Sequence, residues 1–561
     1  MVDAPLEEVL EIHDIQGNIL AGFNKDYQTL LFLNILDVTS AKAWLRFIVP
    51  YISTVEEVLL YNRLFKTLRT RLGTDPAGIA ATWVNIAFSF RALKQLLPSE
   101  QDGPEQFADD AFRNGMVSNS AFLGDPQDVR DVGHPRNWVV GGQDSNKRDT
   151  VPDIILIVAS DVPQFLSERV NLIKASIAAL PNSTQTSSGL ELVFEQQGMA
   201  RAEQPGHEHF GFKDGVSQPS IRGRLSDAPQ DFLTPRLIDP AKNPNEARKF
   251  ARPGQPLVFP GQFVFGYGLQ QNNNPVIPVH KDDAPTWARN GSYLVFRRLR
   301  QDVKAFQDFA RRQAALLAAK PAFSTMTPEL LTTKMVGRWP SGTPIIRTPT
   351  EDNAAMGKNE LANNNFSFLN SHAKPIALLP GQAGDPFPAQ TQGDFFGTIC
   401  PFAAHIRKVN PRDDDTDTGG ENDTLTRRIL RRGIAFGTSY VEGASSGSPG
   451  AADAAFPNDR GLLFLSYQTS ISDQFQFLCQ NWVNAPNKPI PRGESGQDPV
   501  LGQNPSPPTA NRDRTFILQR NPPPPESIPL PASETSWIIP TGGGYFFAPS
   551  ISTLKDVLGK E

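Results

Sequence analysis

The chain has 561 residues, with 54 Lys and Arg against 59 Asp and Glu and a formal charge of −5, so no global basic field marks nucleic acid or an anionic membrane as its partner. Its length suggests roughly two to four domains, and the 39% hydrophobic content supports a globular fold despite 50 prolines and 43 glycines. The only cysteines, Cys400 and Cys479, are far apart and form no Cys-x-x-Cys pair, which excludes a disulfide framework and a cysteine-built zinc or iron–sulfur site.

The acidic start Met-Val-Asp-Ala-Pro-Leu-Glu-Glu lacks the basic region and apolar run of a secretory signal, so a cytoplasmic location is expected. Thr29 to Val38 then reads as a buried strand, and Ala41 to Phe65 follows helical spacing that Pro50 should break. Ala81 to Phe90 is a strand running into a helix at Arg91 to Leu97, which Pro98 ends. The same grammar returns with a strand at Asp153 to Ala159, a helix at Pro163 to Leu180 and a strand at Leu190 to Gln196. The longest apolar run, at 154–159, is strand-sized, so no membrane span is expected.

Further strand–helix pairs follow at Ser292 to Arg300 with Asp302 to Ala319, and at Gly461 to Gln468 with Ile471 to Trp482. This repetition predicts an α+β fold of two ferredoxin-like halves, antiparallel sheets covered by helices; a doubly wound parallel sheet is the competing topology. The expected division is an N-terminal half at 1–225, an insertion or linker at 226–290 and a C-terminal half at 291–561. Ser226 to Gln262, the acidic Asp413 to Asp423 and the Pro-rich Asn484 to Pro531 read as surface insertions, the acidic one as a solvated loop rather than a calcium loop. Pro522 to Pro525 reads as extended polyproline, after which Trp537 to Phe547 should pack back on the core.

Three stretches carry residues suited to chemistry. In His207-Glu208-His209-Phe210-Gly211-Phe212-Lys213-Asp214-Gly215-Val216-Ser217, a carboxylate sits between glycines that permit sharp turns and close backbone approach; the plain alternative is that Asp-Gly closes a β-turn. His405, one of seven histidines, stands at an apolar edge followed by Arg407, Lys408, Asn410, Pro411 and Arg412. That setting suits a structural histidine first, and is also what an axial haem ligand with cations for the propionates would look like. Arg427-Arg428-Ile429-Leu430-Arg431-Arg432 places four arginines in six residues, as a solvated basic end or with one turned inward beside a carboxylate.

Gly211-Phe212-Lys213-Asp214-Gly215 resembles the GxxDG signature of the dye-decolorizing peroxidases, and the His405 and Arg431 stretches resemble that family's proximal-ligand and distal-arginine motifs. Asp14 to Leu20 and Thr541 to Ser550 extend the resemblance across essentially the whole chain. It implies a b-type haem held mainly by the C-terminal half, His405 as axial ligand and Asp214 with Arg431, rather than Arg432, on the opposite face. By the same matching, Gly215, Val216, Ser217, Asn410, Pro411 and Arg412 are expected to line the haem.

The implied reaction is reduction of hydrogen peroxide with oxidation of dyes, phenols and other aromatic reductants, Asp214 moving the proton and Arg431 stabilising the leaving oxygen. Because a free Asp titrates near ~3.9 and a His near ~6.5, an Asp base predicts an acidic optimum. Asp473 is one candidate acceptor for the second ring N–H of His405, with a helix N-cap role for it or a neighbour as the alternative. Tyr440, Tyr467, Trp482 and Trp537 are candidate electron relays to bulky dyes, each also readable as core. Two rival readings are a haem-binding or haem-iron-handling protein with little turnover, and a haem-free binding module.

Overall fold

A computed structural model describes residues 7–97, 102–143, 151–179, 188–369, 376–441, 459–505, 512–520 and 523–560. In the first half β1 (Tyr27–Ile35), β2 (Thr82–Phe88), β3 (Ile154–Ser160) and β4 (Leu190–Met199) lie in the order β4-β1-β3-β2, every pairing antiparallel. Three short strands, β5 (Ser220–Ile221), β6 (Phe250–Arg252) and β7 (Gln255–Val258), make a separate small sheet. The second half contributes β8 (Ser292–Gln301), β9 (Leu430–Arg431), β10 (Ile434–Phe436) and β11 (Gly461–Gln468). A hairpin of β12 (Arg514–Leu518) and β13 (Glu526–Leu530) precedes the last strand, β14 (Ile538–Ala548).

The second half repeats the order of the first: β14-β8-β11-β10, again last, first, third, second. That order, with helices between strands, makes both halves ferredoxin-like; the doubly wound parallel alternative is ruled out by the antiparallel ladders. The halves join edge to edge where Phe547 of β14 opposes Phe88 of β2. At the other end β4 curls against β10, so closely that a Cβ on Gly198 would lie 2.6 Å from Ile434 Cγ2. The sheet is thereby bent toward a barrel.

Strand residues alternate between two buried faces, which is why these runs are continuously apolar. Leu31, Leu33, Leu156 and Val158 pack under helices against Trp44, Leu45 and Ile173, whereas Leu30, Phe32, Ile155, Ile157, Leu294, Phe296, Leu463 and Leu465 fill the barrel side. Pro50 does break the first helical stretch: Val38–Ile48 ends in a short 3-10 turn, and Thr54 with Glu57 forms the capping box that starts Val55–Leu72. The expected helix at 471–482 is wound with the wider π pitch over Ile471–Gln476 and Leu478–Val483. Among the described residues no helix is long and apolar enough to cross a membrane.

Two surface expectations fail. Asp414 and Asp423 of the acidic loop are buried, Asp414 on Arg407 and Arg492 and Asp423 on Arg427, while Asp413 accepts the Phe368 and Leu369 N–H groups. Asn484 to Pro531 is likewise no exposed insertion: Asn484, Ile490, Ser495 and Asp498 are buried, and Phe516, Ile528 and Leu530 join a core cluster with Trp537. Acidity in the first segment and proline content in the second suggest exposure, but burial is set by partners on other segments, and the second even holds the β12–β13 hairpin. Pro522 of the expected polyproline stretch lies outside the described residues.

Candidate active site

The loop after β4 is folded around Glu208. Its carboxylate accepts N–H donors from Phe210 (2.8 Å) and Phe212 (2.8 Å) and the Gln301 side-chain amide, and its backbone N–H donates to Phe212 O (3.1 Å). Gly211 (φ +99°) and Gly215 (φ +73°) take left-handed conformations with open space where a Cβ would stand, so backbone conformation rather than crowding requires glycine. His207 and His209 turn away: His207 Nδ1 meets Pro205 O and the buried His209 Nε2 meets Phe436 O (2.8 Å).

Asp214 Oδ1 accepts the Gly215 N–H (2.6 Å) and Arg431 Nη1 (2.6 Å), leaving Oδ2 without a protein donor among the described residues. Burial would raise this carboxyl, but the Arg431 charge and the two donors outweigh it and hold Asp214 below its ordinary value. Arg431 lies on β9, opposite Ser466 of β11, and donates from Nη2 to Ser217 O (3.2 Å). Gln218 grips the Arg431 backbone from both sides, accepting its N–H and donating to its carbonyl (3.0 Å). Arg432 points the other way, onto the carbonyls of Asn18, Ile19 and Leu20.

His405 opens the short helix His405–Val409. Its Nδ1 lies 2.7 Å from Oδ2 of the fully buried Asp498, whose other oxygen accepts the Val500 (2.8 Å) and Leu501 (3.0 Å) N–H groups. Burial would lower the His405 pKa, but Asp498 raises it. Asp473 is not that partner: it stands in the first turn of a π-helical stretch, its N–H taken by the N-cap Ser470 side chain (2.9 Å). The neighbour-cap alternative is the one observed.

One turn touches both faces of the site. A Cβ on Gly337 would lie 2.4 Å from Ile406 Cγ1, next to His405, and one on Gly342 would lie 3.2 Å from Lys213 Cδ and Val216 Cγ2, next to Asp214. Gly215, Val216 and Ser217 continue the Asp214 loop, with Val216 O accepting Asn364 Nδ2 (2.7 Å). Asn410 and Pro411 end the His405 helix, and the Arg412 guanidinium is engaged by Gly254 O, Asn364 O and Phe366 O at 3.0–3.2 Å. Arg407 and Lys408, expected as propionate partners, are closed to any ligand: Arg407 is buried on Asp394 and Asp414, and Lys408 Nζ donates to three carbonyls, Trp482, Ala485 and Lys488.

His405 and the Asp214–Arg431 pair sense each other electrostatically. Although deep in the protein, their side chains keep 27% (His405), 28% (Arg431) and 34% (Asp214) of their surface open, and His405 Nε2 has no protein partner among the described residues. An imidazole whose second nitrogen is free among the described residues, with an ion pair close enough to act on its charge, is a donor set that fits haem iron.

Comparison with known proteins decides the family. The chain is 30% identical over 550 residues to a dye-decolorizing peroxidase from Mycetinis scorodonius, covering 98% of this chain and 88% of the relative. The chain belongs to the dye-decolorizing peroxidase family. Residues 14–201 match the model of the DyP dimeric alpha+beta barrel domain. A solved dye-decolorizing peroxidase from Pleurotus ostreatus superposes with a TM-score of 0.72 at 27% identity, covering 98% of this chain and 99% of that one. A dye-decolorizing peroxidase solved in complex with 2,6-dimethoxyphenol gives a TM-score of 0.67 at 27% identity, covering 98% and 100%. This dye-decolorizing peroxidase is thus a haem enzyme acting on dyes, on the two-half scaffold.

Proposed function

We propose that the enzyme reduces hydrogen peroxide and oxidises phenols and other aromatic reductants, with Asp214 as proton carrier, Arg431 as charge stabiliser and His405 as the iron ligand of haem b. The observation that carries this reading is the Asp214–Arg431 pair, close enough to His405 for their charges to act on one another, with all three side chains partly open and His405 Nε2 free among the described residues. The absence of a Cys-x-x-Cys-His sequence favours non-covalent haem b over an attached haem. The 2,6-dimethoxyphenol bound by the solved relative supports a phenolic reductant.

Asp498 fixes the ring of His405 by accepting the Nδ1 proton, which leaves the Nε2 lone pair for iron and increases its basicity. The haem, when bound, supplies the electrons that cleave the peroxide O–O bond and passes the oxidising equivalents to the reductant. Asp214 accepts a proton from one peroxide oxygen at Oδ2, since Oδ1 is occupied by Arg431 and Gly215, and returns it to the other oxygen, which leaves as water. Arg431 keeps Asp214 ionised before that transfer and stabilises negative charge developing on the leaving oxygen. Gly215, Val216, Ser217, Asn410, Pro411 and Arg412 form the walls between which the cofactor is held.

Of the four aromatic relay candidates, Tyr467, Trp482 and Trp537 are buried in core clusters or against their neighbours, whereas Tyr440 is half-exposed beneath Arg460. Tyr440 is therefore the one of the four that a bulky dye can touch. The reading is tested with His405→Ala, Asp214→Asn and Arg431→Leu. Loss of the Soret band is expected only in the first, and in the other two a slowing of the peroxide-dependent Soret change by ~10²-fold or more. Wild-type rates in Asp214→Asn would overturn it.

A further inference from the structure

The arginine-rich stretch that supplies Arg431 holds a second cation that the proton-transfer chemistry leaves without a task. Arg427 pairs with Asp423 and lies 3.8 Å over the Phe477 ring, Arg431 is on Asp214, and Arg432 is on four carbonyls. Arg428 remains. It is only 8% exposed, and its backbone is pinned by Gln474, whose side-chain amide donates to its carbonyl (2.5 Å). Among the described residues its guanidinium has no hydrogen-bond acceptor, carboxylate or aromatic face, yet none of its nitrogens is sealed from open space.

Its surroundings make this stranger still. Arg412 and Arg431 are the charges that act on Arg428, and Arg338 acts on Arg412. Arg338 donates only to neutral oxygens, those of Gly342, Asn363 and Asn364, and Arg412 only to those of Gly254, Asn364 and Phe366. So, among the described residues, the buried Arg338 and Arg428 and the half-buried Arg412 make no hydrogen bond or ion pair to a carboxylate, and only Arg412 feels carboxylate charge, from Asp413 and Glu421. Burial first, and then the charge of a neighbouring arginine, Arg431 on Arg338, Arg338 on Arg412, and Arg412 with Arg431 on Arg428, push each down to about 9. Buried guanidinium groups without a counter-charge are strongly disfavoured, so the cluster is built for an anion carrying more than one charge.

We propose that Arg428 binds a propionate carboxylate of the haem, and that the cofactor's two carboxylates supply the negative charge this cluster lacks. The inference rests on the haem-peroxidase reading of His405, Asp214 and Arg431. It also accounts for Arg407 and Lys408, the nearest cations in sequence to His405, being fully engaged elsewhere.

The test is release of haem and of haem dimethyl ester from reconstituted protein to excess apomyoglobin, followed in the Soret band. Wild type should lose the ester at least about 10-fold faster than haem, the effect of one charge-assisted hydrogen bond. Arg428→Met should lose haem faster than wild type, approaching the rate at which wild type loses the ester, while losing the ester itself at the wild-type rate, and Arg428→Lys should fall between. Equal release of haem and ester from wild type would overturn the proposal. So would an Arg428→Met variant that accelerates both releases alike, since that is a structural defect, or one in which only added free anions, and not esterification, change the behaviour. If instead wild type shows no Soret band, or His405→Ala holds haem as wild type does, the haem reading of His405 falls first, which separates the two failures.

Discussion

Asp498→Asn tests the proximal half of the site with the fold kept in place. The asparagine carbonyl can still accept the Val500 and Leu501 N–H groups, at 2.8 Å and 3.0 Å in the native protein, so the loop keeps its anchor. What it loses is the anionic acceptor 2.7 Å from His405 Nδ1, at a position with no exposed surface to let water substitute. A buried hydrogen bond to a charged group contributes roughly 1.5–3 kcal/mol, so haem should dissociate about 10–100-fold faster. Losing the negative charge also makes the imidazole a poorer electron donor, so the iron midpoint potential should rise. Spectroelectrochemistry and haem transfer measure the two effects, with Asp473→Asn as a control that changes neither. An Asp498→Asn enzyme with both values unchanged would refute the assignment.

Arg431 and the Gly215 N–H hold Asp214 below its ordinary value, so kcat/KM should persist into acid and fall only below the usual carboxylate range, as the base becomes protonated. In Arg431→Leu burial is left less opposed, and the acid limb should move to higher pH in a pH–rate profile, an unmoved limb counting against the pair. His209, buried and pushed down to about 4, binds its proton more readily in the unfolded chain. Its contribution to stability is therefore complete above ~6.5 and is lost as pH falls through about 4, roughly 3 kcal/mol in all. The slope of unfolding free energy between pH 4 and 6.5 should flatten by that amount in His209→Gln. Tyr440→Phe should slow turnover of a bulky dye and spare that of a small phenol; equal rates on the dye would remove the relay.

How much of this was legible depended on whether a residue's partners were local. The alternation of strands and helices was readable because each strand between two packed layers must be apolar throughout, and Leu30 to Leu33 and Ile154 to Ala159 are. Asp214, His405 and Arg431 were readable as three short motifs. Asp498 was not: it stands 93 residues from His405 in a proline-rich stretch that gives no local sign of burial, and the nearer carboxylate, Asp473, belongs to a helix start. The acidic loop misled for the same reason, since its counter-charges, Arg407 and Arg492, lie on other segments.

The amino-acid sequence by itself determined the element order, the two-half architecture and the candidates for proton carrier, ligand and distal cation, because periodicity and short motifs are properties of neighbouring residues. Only the tertiary structure decided which carboxylate holds the histidine and which of the clustered arginines are paired. It also decided that Arg428 stands buried with its guanidinium unpaired among the described residues, because pairing and burial are set by segments that meet only when the sheet bends toward a barrel.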